Sequence, residues 1–160
     1  GTTALQAAQF AVKDWLFVWN AAKEGNVRLR IEKGPQGTFA VLSSPGGSIA
    51  TVKFSPQIGK SLGEVLLKAE QHALEHKNHY EKVKKKQYLY KKEYYTKESV
   101  EGFEVVFYSE PKGENFVVKL KKKKLLTSVA LMTKDEALKM GLYLMEVKGM
   151  TDHINSKVNL

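Results

Sequence analysis

Apolar and polar positions alternate in short runs along most of this chain, and twice the alternation gives way to a helical period. Val27, Leu29 and Ile31 alternate with Arg28, Arg30 and Glu32, the two-residue period of a half-buried strand. The turn Gly34-Pro35-Gln36-Gly37 separates it from a strand over 38–42, and Ser44-Pro45-Gly46-Gly47 separates that from a strand over 48–54. Gaps of hairpin length predict antiparallel pairing. Upstream, the aromatic and β-branched run 10–19 reads as a strand with Trp15, Phe17 and Trp19 on one face. The alanines of 4–22 leave a helix as the alternative. Residues 1–9 read as an N-terminal arm.

Ser55-Pro56 then opens a helix, with serine as the cap and proline at the first helical position. Ile58, Leu62, Val65, Leu66, Ala69 and Ala73 form one apolar stripe, ending near 76–78. The second half repeats the plan. Strands are predicted over 82–95, over 100–109 with Phe103, Val105 and Phe107 on one face, over 115–124, and over 125–131. In the third of these, Phe116, Val118 and Leu120 face inward and Lys119, Lys121 and Lys123 outward. Thr133-Lys-Asp-Glu136 is a capping box. The closing helix carries Leu138, Met140, Leu142, Tyr143, Leu144, Met145, Val147 and Met150, apolar nearly all round. Such a helix needs burial on several sides, which points to a subunit interface; packing within the chain's own core is the alternative. The fold class is therefore α+β: two four-stranded antiparallel sheets, each followed by a helix, in a single domain over 10–155 with a tail at 156–160.

The strand at 82–95 adds chemistry. In a regular strand one face carries Lys82, Lys84, Lys86, Tyr88, Tyr90, Lys92 and Tyr94, with no acid. The opposite face carries Leu89, Lys91 and Glu93. Ammonium groups interleaved with tyrosines suit single-stranded nucleic acid, because cations meet phosphates and rings stack on unpaired bases. The tyrosines also have two other uses, packing on the outer sheet face or donating hydroxyl hydrogen bonds to phosphate. Arg28, Arg30, Lys119, Lys121 and Lys123 extend the basic surface, and Lys53 and Lys13 are weaker candidates.

Composition agrees. Lys and Arg number 26 against 17 Asp and Glu, a formal net charge of +9 on 160 residues, which favours polyanionic partners. The absence of cysteine excludes disulfides, zinc–thiolate sites and cysteine nucleophiles. No apolar run reaches the roughly 20 residues of a membrane span, so no membrane partner is expected. The start, Gly-Thr-Thr-Ala-Leu-Gln, lacks methionine and reads as trimmed, with any targeting peptide lying outside this sequence. His72 and His76 lie one helical turn apart, a spacing that can chelate. Only Glu75 is near, on another side of the helix, so the histidines are expected to be exposed polar residues and no metal or cofactor is expected. Gly59-Lys60-Ser61 lacks the upstream glycine of a phosphate loop. The sequence also holds no G-x-S-x-G and no H-E-x-x-H; the expectation is a binding protein, not an enzyme.

The segment 49–62, I-A-T-V-K-F-S-P-Q-I-G-K-S-L, resembles the strand-to-helix junction of Whirly proteins. The segment 114–137 resembles their last two strands and the start of their closing helix. The pattern covers roughly residues 25–150. The plant signature K-G-K-A-A-L is absent, and the chain is more similar to the kinetoplastid mitochondrial guide-RNA-binding pair, which shares the fold without it. That resemblance implies a mitochondrial subunit of a heterotetramer with a homologous Whirly-like partner. It also implies that the subunit holds guide RNA by its phosphates on a basic sheet and promotes annealing in RNA editing. Two other readings stay open: a Whirly-type single-stranded DNA binder, and a structural subunit of the mitochondrial ribosome.

Overall fold

The computed structural model describes residues 15–45, 50–79, 86–95, 101–110, 115–124 and 128–159. Eight strands form two antiparallel meanders. The first sheet contains β1 (Phe17–Glu24), β2 (Val27–Gly34), β3 (Gly37–Ser43) and β4 (Thr51–Phe54). The second contains β5 (Gln87–Tyr94), β6 (Phe103–Ser109), β7 (Phe116–Lys122) and β8 (Ser128–Met132). The architecture is α+β, as the periodicities predict.

Two helices follow each sheet, where one was expected. A 3-10 turn at Pro56–Ile58 leads into α1 (Gly59–Leu67) and α2 (Ala69–His79), and the second sheet is followed by α3 (Lys134–Met145) and α4 (Val147–Lys157). A single residue breaks each pair. The N–H of Lys68 bonds to the Val65 carbonyl and that of Glu146 to the Tyr143 carbonyl, three residues back, and this tighter turn redirects the chain. Ser55 precedes the first turn, but its side chain makes no cap hydrogen bond; Pro56 supplies the start signal. The capping box is present: Thr133 Oγ1 accepts from the Glu136 N–H, and Glu136 Oε1 accepts from the Thr133 N–H.

β1 begins at Phe17, later than expected, and continues past Trp19 to Glu24. Phe17 and Trp19 share a face, opposite Lys33 and Ile31. Residues 10–14 lie outside the described residues.

The helices interlock the two halves. α1 crosses α3 where glycine meets glycine: a Cβ added to Gly63 would lie 2.7 Å from the Gly141 carbonyl oxygen. Bare backbone is what lets the axes approach this closely. α2 then packs on β6 and β7, while α4 returns to β2 and β3. Each half therefore covers part of the other half's sheet. One apolar cluster results, running from Val27, Leu29 and Ile31 through Leu62 and Leu66 to Phe103, Val105, Phe107, Met140 and Leu144. Phe54 and Phe103 join the sheets at 5.9 Å between ring centroids, and Ser44 donates to the Val129 carbonyl.

Much of the closing helical segment is used up in this core. Met140, Leu144 and Val147 are buried, and Val147 sits against Gly59. Leu142 stays 60 % exposed and Tyr143 40 %.

Candidate nucleic-acid interface

With helices on one side of each sheet, the other side is left outward. Along β6 the outward positions are Glu104, Val106 and Tyr108; along β7 they are Val117, Lys119 and Lys121. The expected inward set Phe116, Val118 and Leu120 and outward set Lys119, Lys121 and Lys123 are both found.

β5 departs from its predicted pattern. Tyr88 pairs with Tyr108, but Tyr90 pairs with Phe107, so Leu89 is an extra residue between them. This is a β-bulge, and it reverses which face the following side chains occupy. Tyr88 stays outward with Tyr108. Tyr90, Lys92 and Tyr94 turn to the helix face, opposite Phe107, Val105 and Phe103. Tyr94 is 1 % exposed, stacks on Phe103 at 4.8 Å, and shares a 3.0 Å hydrogen bond with Ser61. Tyr90 packs against His72 and Phe107 and accepts from Lys68 at 3.3 Å. Lys92 lies over the Tyr94 ring at 5.6 Å. The expected acid-free face of alternating lysine and tyrosine is thus corrected. Lys91 and Glu93 take the outward positions instead.

The outward face of the second sheet is centred on Tyr108, which is buried there. Three ammonium groups ring it: Lys86 at 4.0 Å from the ring centroid, Lys119 at 4.6 Å and Lys121 at 5.3 Å. Lys121 also donates to the Tyr108 hydroxyl at 2.9 Å. Tyr88 packs beside it, with ring centroids 4.7 Å apart. Each cation gains from the negative face of the ring, and the aromatic floor holds three like charges close together. Burial and the neighbouring Tyr88 hydroxyl push the Tyr108 phenol up to about 12. Burial, then the adjoining Lys86 ammonium, hold Lys119 below the usual lysine range. Glu110 lies 3.6 Å from Lys119 and 4.0 Å from Lys86 and offsets only part of this charge. An anion bridging these ammoniums would relieve their repulsion.

Farther along the same face the charges are balanced. Lys91 meets Glu93 at 3.2 Å and Glu104 at 3.3 Å, and Lys123 meets Glu93 at 3.5 Å. Hydrogen bonds that Lys91 donates to Glu93 and Glu104 raise its pKa; the Tyr95 hydroxyl, then Lys91, lower that of Glu93. Lys123 also stands 3.7 Å above the Tyr95 ring.

The outward face of the first sheet presents Arg28, Arg30 and Glu32 on β2, Phe39 and Val41 on β3, and Lys53 on β4. Arg30 bonds Glu32 at 2.8 Å and Ser43 at 3.2 Å, so its guanidinium is partly occupied. Arg28 is exposed, and Lys23 of β1 stands opposite it. Lys53 lies 4.6 Å over the Phe39 ring and 4.0 Å from Glu32.

Of the expected phosphate contacts, the structure gathers Lys86, Lys119 and Lys121 into one cluster with Tyr88. It places Lys123 at the balanced end, and Arg28, Arg30 and Lys53 on the other sheet. Lys13, Lys82 and Lys84 lie outside the described residues. Sequence reasoning missed Tyr108, Glu104, Glu110 and Lys23. Tyr108 had a signal: it lies on the opposite side of its strand from Phe103, Val105 and Phe107, next to the lysines of the neighbouring strand.

His72 and His76 are buried, a correction to their expected exposure. α2 seats them on the second sheet. His72 packs against Tyr90 and Phe107, each at 5.4 Å, and His76 against Phe116 at 6.4 Å. His76 Nδ1 is 2.5 Å from Ser109 Oγ. Glu75, expected on another side, reaches His72 Nδ1 at 3.1 Å. Aromatic flanks and side-chain hydrogen bonds make both histidines part of the packing.

No described helix is long and apolar enough to cross a membrane. The chain matches no protein-family model, no curated protein and no solved structure.

Proposed function

We infer that this protein holds single-stranded RNA by its phosphates on the outward sheet faces and promotes annealing to a second strand. The convergence of Lys86, Lys119 and Lys121 around the buried Tyr108 carries this reading. A cation cluster on an aromatic floor neutralises phosphate without reading bases. A strand held this way keeps its base edges free to pair, and screening lowers the repulsion between two strands. The resemblance to the Whirly-fold guide-RNA-binding pair supports guide RNA as ligand, mitochondrial RNA editing as setting, and a homologous subunit as partner. The exposed Leu142 and Tyr143 are where such a subunit would meet this one.

The test is annealing of two complementary oligoribonucleotides, with single-stranded RNA and DNA of the same sequence as competitors. Faster annealing, with RNA the stronger competitor, is the expected result; only RNA offers a 2′-hydroxyl. Binding without acceleration would refute the annealing role, and a stronger DNA competitor would move the ligand to single-stranded DNA.

A further inference from the structure

Beside the phosphate face there is a second feature of different chemistry. At the β2–β3 end of the first sheet, on its outward side, lies a cavity of about 210 Å³. Trp15 and Phe39 line it, with Glu32, Gln36 and Lys53 also contributing. Pockets for drug-sized ligands run from about 300 Å³ upward; this smaller cavity suits one flat heteroaromatic ring. Gly37 lines it as well. Its φ of +129° is a conformation that side chains rarely adopt, and a Cβ there would lie 3.6 Å from the Phe39 ring. The polar groups suit an edge bearing both donors and acceptors. Glu32 Oε1 is taken by Arg30, while Oε2 stands 4.0 Å from Lys53 Nζ, too far for a hydrogen bond. A ring edge set there can donate to the carboxylate and accept from the ammonium.

We propose that this cavity captures one unpaired nucleobase of the bound RNA. The proposal rests on the reading of the outward faces as an RNA surface, and it adds a base contact to a surface otherwise built for phosphate. Base–aromatic stacking is sequence-tolerant, but a carboxylate needs a donor opposite it. Guanosine is therefore expected to bind more tightly than purine riboside, whose base has no donor on that edge.

The chain has two tryptophans, so Trp19→Phe leaves Trp15 as the sole reporter. In that background, guanosine and a short oligoribonucleotide should each quench Trp15 fluorescence saturably. Phe39→Ala, and Phe39→Leu as the variant that keeps the bulk, should weaken guanosine binding roughly tenfold. An oligomer with the same phosphates but abasic at every position should bind with an unchanged salt slope and without quenching. If RNA binds but guanosine does not quench, and the Phe39 variants and abasic oligomer bind as tightly as the originals, the cavity is not a base site and the phosphate reading stands. If no RNA binds, the phosphate reading falls and the proposal with it, and quenching by guanosine would then show only that the cavity takes a free base.

Discussion

Replacing Lys86, Lys119 and Lys121 together by glutamine tests whether the ring of ammoniums around Tyr108 is the principal RNA contact. The described outward face of the second sheet carries five lysines, Lys86, Lys91, Lys119, Lys121 and Lys123, against three glutamates, Glu93, Glu104 and Glu110. The triple variant leaves two against three. Glu110, which lay 3.6 Å from Lys119 and 4.0 Å from Lys86, then has neither cation beside it. Each phosphate contact on a single strand contributes about 0.7 to the log–log salt slope, so three lost contacts should flatten it by about 2. At about 0.1 M salt that is roughly a hundredfold loss of affinity. Fluorescence anisotropy with a short oligoribonucleotide, repeated from about 0.05 to 0.4 M KCl, measures both quantities. The control changes Lys134, Lys139 and Lys148, which lie on the helices, and should cost several-fold at most through net charge. Equal losses from the two sets, or a hundredfold loss with an unchanged slope, would refute the assignment. Circular dichroism guards against unfolding, since the lysines also cover the Tyr108 ring, at about 0.5–1 kcal/mol each for exposed cation–π contacts.

Gly63→Ala forces a Cβ to 2.7 Å from the Gly141 carbonyl oxygen and 3.0 Å from Met145 Sδ. It should destabilise by about 1–3 kcal/mol in urea unfolding, whereas Gly149→Ala, with no atom within 4 Å, should stabilise by about 0.5–1 kcal/mol. Equal effects would contradict the close helix crossing. Lys119 is held below the ordinary 10.5, so it loses its charge earlier as pH rises. RNA affinity should therefore begin to fall below the usual lysine range, and Lys119→Arg, which stays protonated, should abolish that early fall in an alkaline binding series. By linkage, the unfolded chain binds more protons between the lowered value and 10.5, so this residue's contribution to stability rises with pH through that window. Leu142→Glu should leave the melting temperature nearly unchanged but shift any assembly to smaller species in sedimentation velocity. Val147→Glu, at a fully buried position, should unfold the chain instead.

The order of elements was legible because each rested on local chemistry. Alternation marked β2 and β7, proline and glycine marked the turns, and Thr133 with Glu136 marked the start of α3. The breaks at Lys68 and Glu146 were not legible, since neither residue is a helix breaker and the redirection comes from packing on the opposite half. The histidines misled for the same reason: a polar ring on a helix looks exposed until a neighbouring sheet supplies aromatic flanks and a serine. The β5 bulge left a trace that periodicity alone could not resolve. Leu89 and Tyr94 are five residues apart, so a regular strand puts them on opposite faces. Both belong with the core, Leu89 partly and Tyr94 fully. The bulge permits that: Leu89 is the extra residue, and the alternation restarts at Tyr90.

That inserted residue also sets what each sheet can offer a strand of RNA. A regular β5 would have laid Tyr88, Tyr90 and Tyr94 in a row as a stacking platform. The bulge instead commits Tyr94 to the core and Tyr90 to the α2 contact, and Tyr108 is 2 % exposed beneath its ammoniums. The rings of the second sheet therefore act mainly as flooring for charge, with the 65 % exposed Tyr88 at the margin. On the first sheet Trp15 and Phe39 line a cavity at the β2–β3 turn, with the Lys53 ammonium 4.6 Å over the Phe39 ring. Interlocked helices hold the two sheets to one core, so they cannot separate without opening the Gly63–Gly141 crossing. The proposed phosphate face on one sheet and the proposed base cavity on the other are consequently fixed relative to each other. Destabilising that crossing with Gly63→Ala should weaken binding of an RNA long enough to span both faces more than it weakens binding of guanosine to the cavity alone. Equal weakening of the two would mean that the faces act independently.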